Sequence, residues 1–273
     1  MPDEATRDFL LRNLESTMLM HPCFNFPQFR NRVEALYNPD IWTATSPSSE
    51  LDLAQPDVTG ESGDPQPSTT SPRRPSLSFF AAALAGLALG AYSTSTLPPP
   101  TLPTQSSSDR PILNGFSPLP ANVSADSFFT LSKQVLAVSE WNSNYDLDFI
   151  IAVILNGLYL LHDGKSSIAH TIFPSIGKLV NIAKMMGLHL DPDDFPGRYS
   201  LFDAEMRRRV WWDVYYYDLF MSDSMGQHPL IDDEMCTTRL PADVDEEKFH
   251  EGSQSLPAPR ERSNFAYFIQ KCR

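Results

Sequence analysis

Cysteine is scarce. Cys23, Cys236 and Cys272 are the three cysteines in 273 residues, odd in number and far apart. No two of them have the C-x-x-C spacing that a zinc site or a redox pair needs. A disulfide framework is equally unsupported, so the chain reads as intracellular. A secretory leader is also missing, because the N-terminus opens with Asp3, Glu4, Arg7 and Asp8 rather than with a basic and then an apolar stretch. Positive charge is in short supply: 21 Lys and Arg face 34 Asp and Glu, a formal net charge of −13. That balance excludes a chain-wide attraction to phosphate backbones, which takes clustered cations. The sequence has no Gly-x-Ser-x-Gly, no phosphate-cradling glycine loop and no His-Glu-x-x-His, which argues against the usual catalytic chemistries.

A bilayer-spanning run is absent as well. The uncharged stretch at residues 77–92, LSFFAAALAGLALGAY, stops at 16 residues with Gly86 and Gly90 inside it. Spanning takes roughly 20 apolar residues. Small residues at i and i+4 (Ala82, Gly86, Gly90) let another helix approach closely, which suits a buried core helix or a membrane dimer. The core helix is the preferred reading.

What is present is apolar and aromatic surface, 41% and 11% of the residues, enough to bury a core. Proline sets the layout. Residues 43–76 hold 6 of the 24 prolines and residues 93–122 hold 7, mixed with Ser and Thr. Both stretches are expected to be flexible loops. Before the first, helical spacing covers about 4–20 (Phe9, Leu10, Leu14, Met18, Leu19) and about 27–37 (Phe29, Val33, Leu36, Tyr37), with His21-Pro22 as a stop. After the second, residues 124–141 place Phe128, Leu131, Val135 and Val138 on one stripe behind a Ser124 cap. Residues 147–162 are apolar nearly all round, which marks a central helix. Residues 166–187 follow, ended by Gly187, with Pro174 expected to kink the helix or delay its start. A last long helix starts at a Ser200/Asp203 capping box and stops at Gly226 and Pro229. Its expected i,i+4 pairs are Asp203–Arg207 and Glu205–Arg209. The expectation is an all-α, irregular multi-helix bundle forming one domain over 1–273, with long Pro/Ser-rich loops and further C-terminal helices still to come.

Three segments in order carry a resemblance: GLHLDP at 187–192, AEMRRRVWWDVYYYDLFMSDSMGQHPLIDDEMC at 204–236, and LPADVDEE at 240–247. Together they resemble the middle regulatory region of fungal zinc-cluster (Zn2Cys6) transcription factors. The matching positions are Gly187, Leu188 and His189; Glu205, Arg207, Arg208, Arg209, Trp211, Trp212 and Asp218; then Gly226, Pro229, Ile231, Asp232 and Asp233. The family's six-cysteine, two-zinc DNA-binding module has no counterpart here, since Cys23 alone falls in the first 200 residues. The resemblance therefore implies a nuclear regulator of RNA polymerase II transcription without catalytic, cofactor or metal residues of its own. Zinc is expected only in the missing cysteine cluster, and DNA contact only through that module. Its partners would be co-regulators or a small-molecule effector.

Competing readings attach to several residues. Arg207–Arg209 suit intrahelical ion pairs better than a phosphate grip, and Trp211 and Trp212 suit a core better than a stacking platform. Asp218, among aromatics, must find a donor or take up a proton, and an arginine or a backbone amide is the expected partner. His189, Asp191, Asp193 and Asp194 look like a hard-metal cluster but lack a calcium loop's glycine and final Glu, so a solvated loop is expected. Residues 191–251 hold 16 acidic and 6 basic side chains, a net of −10. Such a face can repel DNA, meet a basic partner or simply be solvated. The other function classes are a membrane-associated helical protein anchored by residues 77–92, or an unfamiliar small-molecule enzyme.

Overall fold

The structure is a computed structural model that describes residues 1–19, 21–43, 75–95, 124–164, 168–260 and 265–272. Most of the two predicted Pro/Ser loops lies outside the described residues. Among the described residues every regular element is helical. The α-helices are α1 (Glu4–Met18), α2 (Phe26–Ala35), α3 (Asp40–Thr43), α4 (Leu77–Ser95), α5 (Ala125–Trp141), α6 (Leu147–Asp163), α7 (Phe173–Met185), α8 (Leu201–Met225) and α9 (Phe265–Lys271).

Local chemistry sets most of the boundaries. Asp3, Asn25, Ser124, Asp146 and Ser200 each stand before a helix with a side chain that accepts a backbone N–H of its first turn. Each satisfies a donor the helix cannot pair internally. Gly187 follows α7 at φ +71°. There the Leu188 amide bonds the Ala183 carbonyl (3.0 Å) and the Gly187 amide bonds Lys184 (2.9 Å). The chain can turn that way because glycine enters the left-handed region without a Cβ penalty. Pro174 delays the start of its helix: residues 168–172 make a π turn, and α7 begins only at Phe173.

α4 lies at the centre, packed by α1, α5 and α6. Every residue from Ala81 to Ala91 is buried, so this helix is interior and the membrane reading of residues 77–92 falls away. Among the described residues no helix is long and apolar enough to cross a membrane. The small-residue seam makes the packing possible. A Cβ on Gly90 would stand 2.1 Å from the Leu10 carbonyl oxygen, and one on Gly86 would stand 2.8 Å from Leu14 Cδ2. α4 also runs to Ser95, a little into the segment expected to be loop.

α5 corrects an expectation. Its predicted core stripe is only half realised: Phe128 and Val135 are partly buried against the core, whereas Leu131 and Val138 are exposed, and Trp141 is 89% exposed. The side facing α4 and α6 buries Ser132, Leu136 and Ser139 instead. The reason is polar pairing. Ser132 Oγ donates to the Ala81 carbonyl (2.9 Å) and accepts from Asn156 Nδ2 (2.8 Å), and small serines allow the close approach to α4's alanine face.

Around this core run two smaller apolar clusters. Phe202, Met206, Val244 and Phe249 join the start of α8 to the acidic loop, and Phe265, Phe268 and Cys272 seat α9 beside Trp212.

Candidate functional site

The residues singled out in sequence meet around α8 and the two loops that flank it. Three polar ties hold them there.

The first is centred on Asp191, which is 2% exposed. Arg208 grips it side-on, Nε to Oδ2 at 3.0 Å and Nη2 to Oδ1 at 2.8 Å. From the other side the Arg239 amide donates to Oδ2 (2.8 Å) and its guanidinium to Oδ1 (3.0 Å). Asp193 joins both arginines. Thr237 accepts the Asp191 amide and donates to Asp194, while Thr238 Oγ1 donates to the Leu188 carbonyl. Residues 188–194 and 237–239 are thereby sewn across α8. The solvated loop expected at Asp191–Asp194 is instead a buried hub at its first member. Burial alone would raise the Asp191 carboxyl, but the bonds from Arg208 and Arg239 outweigh it and hold the group well below the usual carboxylate range.

The second tie lies one turn away. Glu205 and Arg209 are buried and joined at 3.2 Å. Glu205 Oε1 also accepts the Ala242 amide (2.9 Å), and Arg209 Nη1 meets Glu246 Oε1 at 2.7 Å. Asn25, the cap of α2, donates to the Glu246 carboxylate and to the Glu246 and Phe249 carbonyls. The Arg209 guanidinium lies 4.5 Å from the Phe265 ring centroid, a stacking that suits its weakly hydrated plane. Burial pushes the Glu205 carboxyl up, and Arg209 only partly offsets it.

The third tie closes the far end of α8. Gly226 (φ +62°) reverses the chain, Pro229 follows, and Asp218 receives both the Leu230 and the Ile231 amide at 2.8 Å. Lys184 Nζ binds the Leu230 carbonyl at 2.7 Å. Of the two partners expected for Asp218, backbone amide is the one found. Asp232 caps a short 3₁₀ turn, and Asp233 accepts the Tyr215 hydroxyl at 2.6 Å.

The tryptophans divide. Trp211 is fully buried with its ring 6.1 Å from that of His189. Trp212 sits at the edge and donates Nε1–H to the Arg239 carbonyl at 2.8 Å. Arg207 differs from expectation: it donates to the Met186 carbonyl (3.0 Å) and covers the Tyr199 ring, reaching the end of α7 rather than Asp203. Asp203 itself accepts the Ser200 hydroxyl at 2.8 Å while its amide donates to Ser200 Oγ at 3.0 Å, so half of the expected capping box forms.

Sequence reasoning missed Arg239, Glu246 and Asn25 as members of these ties, together with a group made by the half-buried His21 and the buried Asp213 and Tyr217. Tyr217 Oη lies 2.9 Å from His21 Nδ1, which is 3.4 Å from Asp213 Oδ1. One signal was available: Asp213 follows two tryptophans and sits one turn after Arg209, a carboxylate among large apolar side chains.

Beside the second tie lies a cleft between the α1–α2 corner and the loop at 244–252. It consists of two adjoining hollows of ≈ 220 Å³ and ≈ 490 Å³ that share Glu15, Phe26, Pro27, Glu246 and Glu247.

A zinc cluster does not fit this chain. Cys23 and Cys272 are buried and far from each other in sequence, Cys236 is half-buried, and no group of three His, Cys, Asp or Glu among the described residues could hold a metal.

The model of the "Fungal specific transcription factor domain" matches residues 21–272. The Zn(2)-C6 fungal-type transcription factor pigI of Monascus ruber is 39% identical over 85 residues, 31% of this chain and 10% of that protein. An uncharacterized transcriptional regulatory protein of Schizosaccharomyces pombe is 26% identical over 150 residues, 55% of this chain and 19% of the relative. The pyrrolocin cluster transcription factor fsdR of Fungal sp. strain NRRL 50135 is 31% identical over 116 residues, 42% and 14% of the two chains. The chain thus spans between a tenth and a fifth of the length of these curated relatives. No solved structure matches it. With the family model covering nearly the whole sequence, the chain belongs to the fungal specific transcription factor domain family, a family of gene regulators and not of enzymes.

Proposed function

We propose that residues 1–273 act as one helical regulatory and interaction domain of a zinc-cluster transcription factor, controlling RNA polymerase II transcription in the nucleus. DNA contact belongs to a zinc-cluster module outside these residues, and the domain works without a cofactor of its own. The signature residues from Gly187 to Asp233 serve as the ties that fix two loops to α8, and co-regulators or a small-molecule effector act by shifting the arrangement so fixed.

The observation that carries this reading is where the arginines go. On the helix bearing the family signature, Arg208 and Arg209 are spent on buried carboxylates and Arg207 on a carbonyl. They leave no basic stripe for phosphate. Relatives named for the pyrrolocin and equisetin clusters support the narrower proposal that the genes controlled form a biosynthetic cluster.

Two measurements test it. The purified chain titrated with a fluorescent DNA duplex at low salt is expected to give no change in anisotropy up to tens of micromolar, where non-specific binders already register. The same chain tethered to an unrelated DNA-binding domain at a reporter promoter is expected to change transcription. A silent tether would sink the regulatory assignment, and salt-sensitive DNA binding would sink the division of labour.

A further inference from the structure

The start of α4 carries a motif that neither the core nor the ties use. Ser76 follows Arg73, Arg74 and Pro75 and precedes Leu77. The two arginines lie outside the described residues and enter as sequence alone. Pro75 and Ser76 stand half-buried before the first turn of α4, and Leu77 is 48% exposed. The next serine, Ser78, is fully buried. Ser76 therefore offers a hydroxyl with two arginines ahead of it and an exposed apolar side chain behind it.

The surroundings of that hydroxyl are charged. Ser76 Oγ accepts the Phe79 amide at 3.0 Å and lies 3.5 Å from Asp148 Oδ2. Arg32 of α2 grips the same carboxylate with both arms, Nη1 to Oδ1 at 2.8 Å and Nη2 to Oδ2 at 2.6 Å. Its guanidinium also covers the Phe79 ring, 3.7 Å from the centroid. Asp146, the cap of α6, is near enough to feel both Asp148 and Arg32. One cation on α2 thus serves two carboxylates at the start of α6, and Ser76 sits at their edge. The Arg32 side chain is 38% exposed, so the pair is open to a third group.

We infer that Ser76 is a phosphorylation site for a protein kinase with acidic subsites for arginine, and that the phosphate draws Arg32 away from Asp148. The guanidinium forks of Arg73 and Arg74 match carboxylates bidentately, which is how such a kinase selects its substrate. In the transfer the Ser76 oxygen attacks the γ-phosphorus of ATP. Its proton passes to a base of the kinase, the bond to the β,γ-bridging oxygen breaks, and ADP leaves. The product carries about −1.5 to −2 charges and three acceptor oxygens. It grows from the oxygen nearest Asp148 Oδ2, where the Arg32 bond stands. Phosphate and Asp148 repel each other, and the more highly charged group holds the guanidinium more strongly. Arg32 therefore changes partner, and α2 is tied to the start of α4 instead of the start of α6.

The test incubates the full chain with ATP and a purified protein kinase selective for Arg-Arg-x-Ser. Intact mass and peptide fragmentation locate the phosphate. One phosphate on Ser76 is the expected result. Ser76→Asn, which keeps a good helix cap, should abolish it, and Arg73→Gln/Arg74→Gln should slow it about tenfold or more. Thermal midpoints then read the exchange of partners. Asp148→Asn should lower the midpoint of the unmodified chain but not that of the phosphorylated one. Arg32→Gln should do the reverse, lowering the phosphorylated chain's midpoint further than the unmodified chain's. Should either variant fail to fold, the other reads the same exchange. Phosphate found only elsewhere, as on Ser263 after Arg260 and Arg262, would overturn the site. So would labelling of Ser76 only after unfolding in urea, since the folded helix start would then exclude the kinase. Equal shifts by Asp148→Asn in the two forms would overturn the exchange and leave Arg32 on Asp148.

Discussion

α4 and α8 are both interior helices, and their sequences are opposites. α4 has no charged residue between Leu77 and Ser95. α8 has Glu205, Arg208, Arg209, Asp213 and Asp218 buried along its length. An all-apolar helix could slide or rotate among apolar neighbours at little cost, so shape must place it, and in α4 the notch at Gly90 against the Leu10 carbonyl does so. A buried charge is costly except beside its partner. α8 is therefore placed by pairing, and each pair also fixes a loop: Asp191 and Arg239 through Arg208, Ala242 and Glu246 through Glu205 and Arg209, and Leu230–Ile231 through Asp218. One helix supplies the core, and the other determines how the surface segments lie on it.

The largest effect should come from breaking a pair on α8. Arg209→Ala leaves Glu205 buried with only an amide and a distant Arg208, and a cost of about 3–5 kcal/mol in urea unfolding is expected. Replacing both members with Leu should recover part of that, since two apolar side chains need no partner, while Glu246 still loses Arg209. A single variant within about 1 kcal/mol of wild type would mean that α8 is placed by packing, like α4.

Next is the α4 notch. Gly90→Ala brings a methyl against the main chain of α1, which has no rotamer to yield, so the cost should reach the upper part of the roughly 1–3 kcal/mol seen for overpacked cores. It should do so even though alanine is the better helix former by about 1 kcal/mol. The same urea midpoint reads it.

The Asp191 hub should be smaller and pH-dependent. Asp191→Asn removes the charge from hydrogen bonds with two arginines, at a cost of about 2 kcal/mol near neutral pH. The folded carboxyl titrates below its unfolded value of about 3.9. Its stabilisation is therefore fully present above the unfolded value and is lost as pH falls through the depressed folded one. The gap between the thermal midpoints of wild type and variant should hold down to about pH 5 and narrow steadily once the pH is below the unfolded value. A gap that stays constant on acidification would take the hub's charge out of the account.

These contrasts also mark how far the sequence could be read. The long helices, the Ser124 and Ser200 caps and the Gly187 and Gly226 stops were visible because they rest on local spacing and on side chains that bond within three or four residues. α8 was recognisable as a unit, with Glu205–Arg209 as an i,i+4 pair. The long-range halves of the ties were not visible. Asp191 lies in an acidic run that looks solvated, and nothing local connects it to Arg239 or brings Glu246 to Arg209. α5 misled for a related reason: Phe128, Leu131, Val135 and Val138 make the more apolar stripe, yet only Phe128 and Val135 pack on the core, while Ser132, bonded to Asn156 and to the Ala81 carbonyl, takes the fully buried face beside Leu136 by fitting.

The smallest effect should come from the neighbouring glycine of α4 and is the sharpest check on the notion of a notch. Gly86 and Gly90 occupy the same face one turn apart, and composition alone treats them alike. The structure separates them by what stands opposite. A methyl at 86 meets Leu14 Cδ2 at 2.8 Å and the rim of Phe29 at 3.3 Å. The first is the end of a flexible side chain that can turn aside. The substitution also gains about 1 kcal/mol of helix propensity, against a rearrangement of similar size, so Gly86→Ala should lie within about 1 kcal/mol of wild type. If it matches Gly90→Ala, the seam demands small residues throughout. If it falls well short, one backbone contact at Gly90 sets where α1 crosses the central helix.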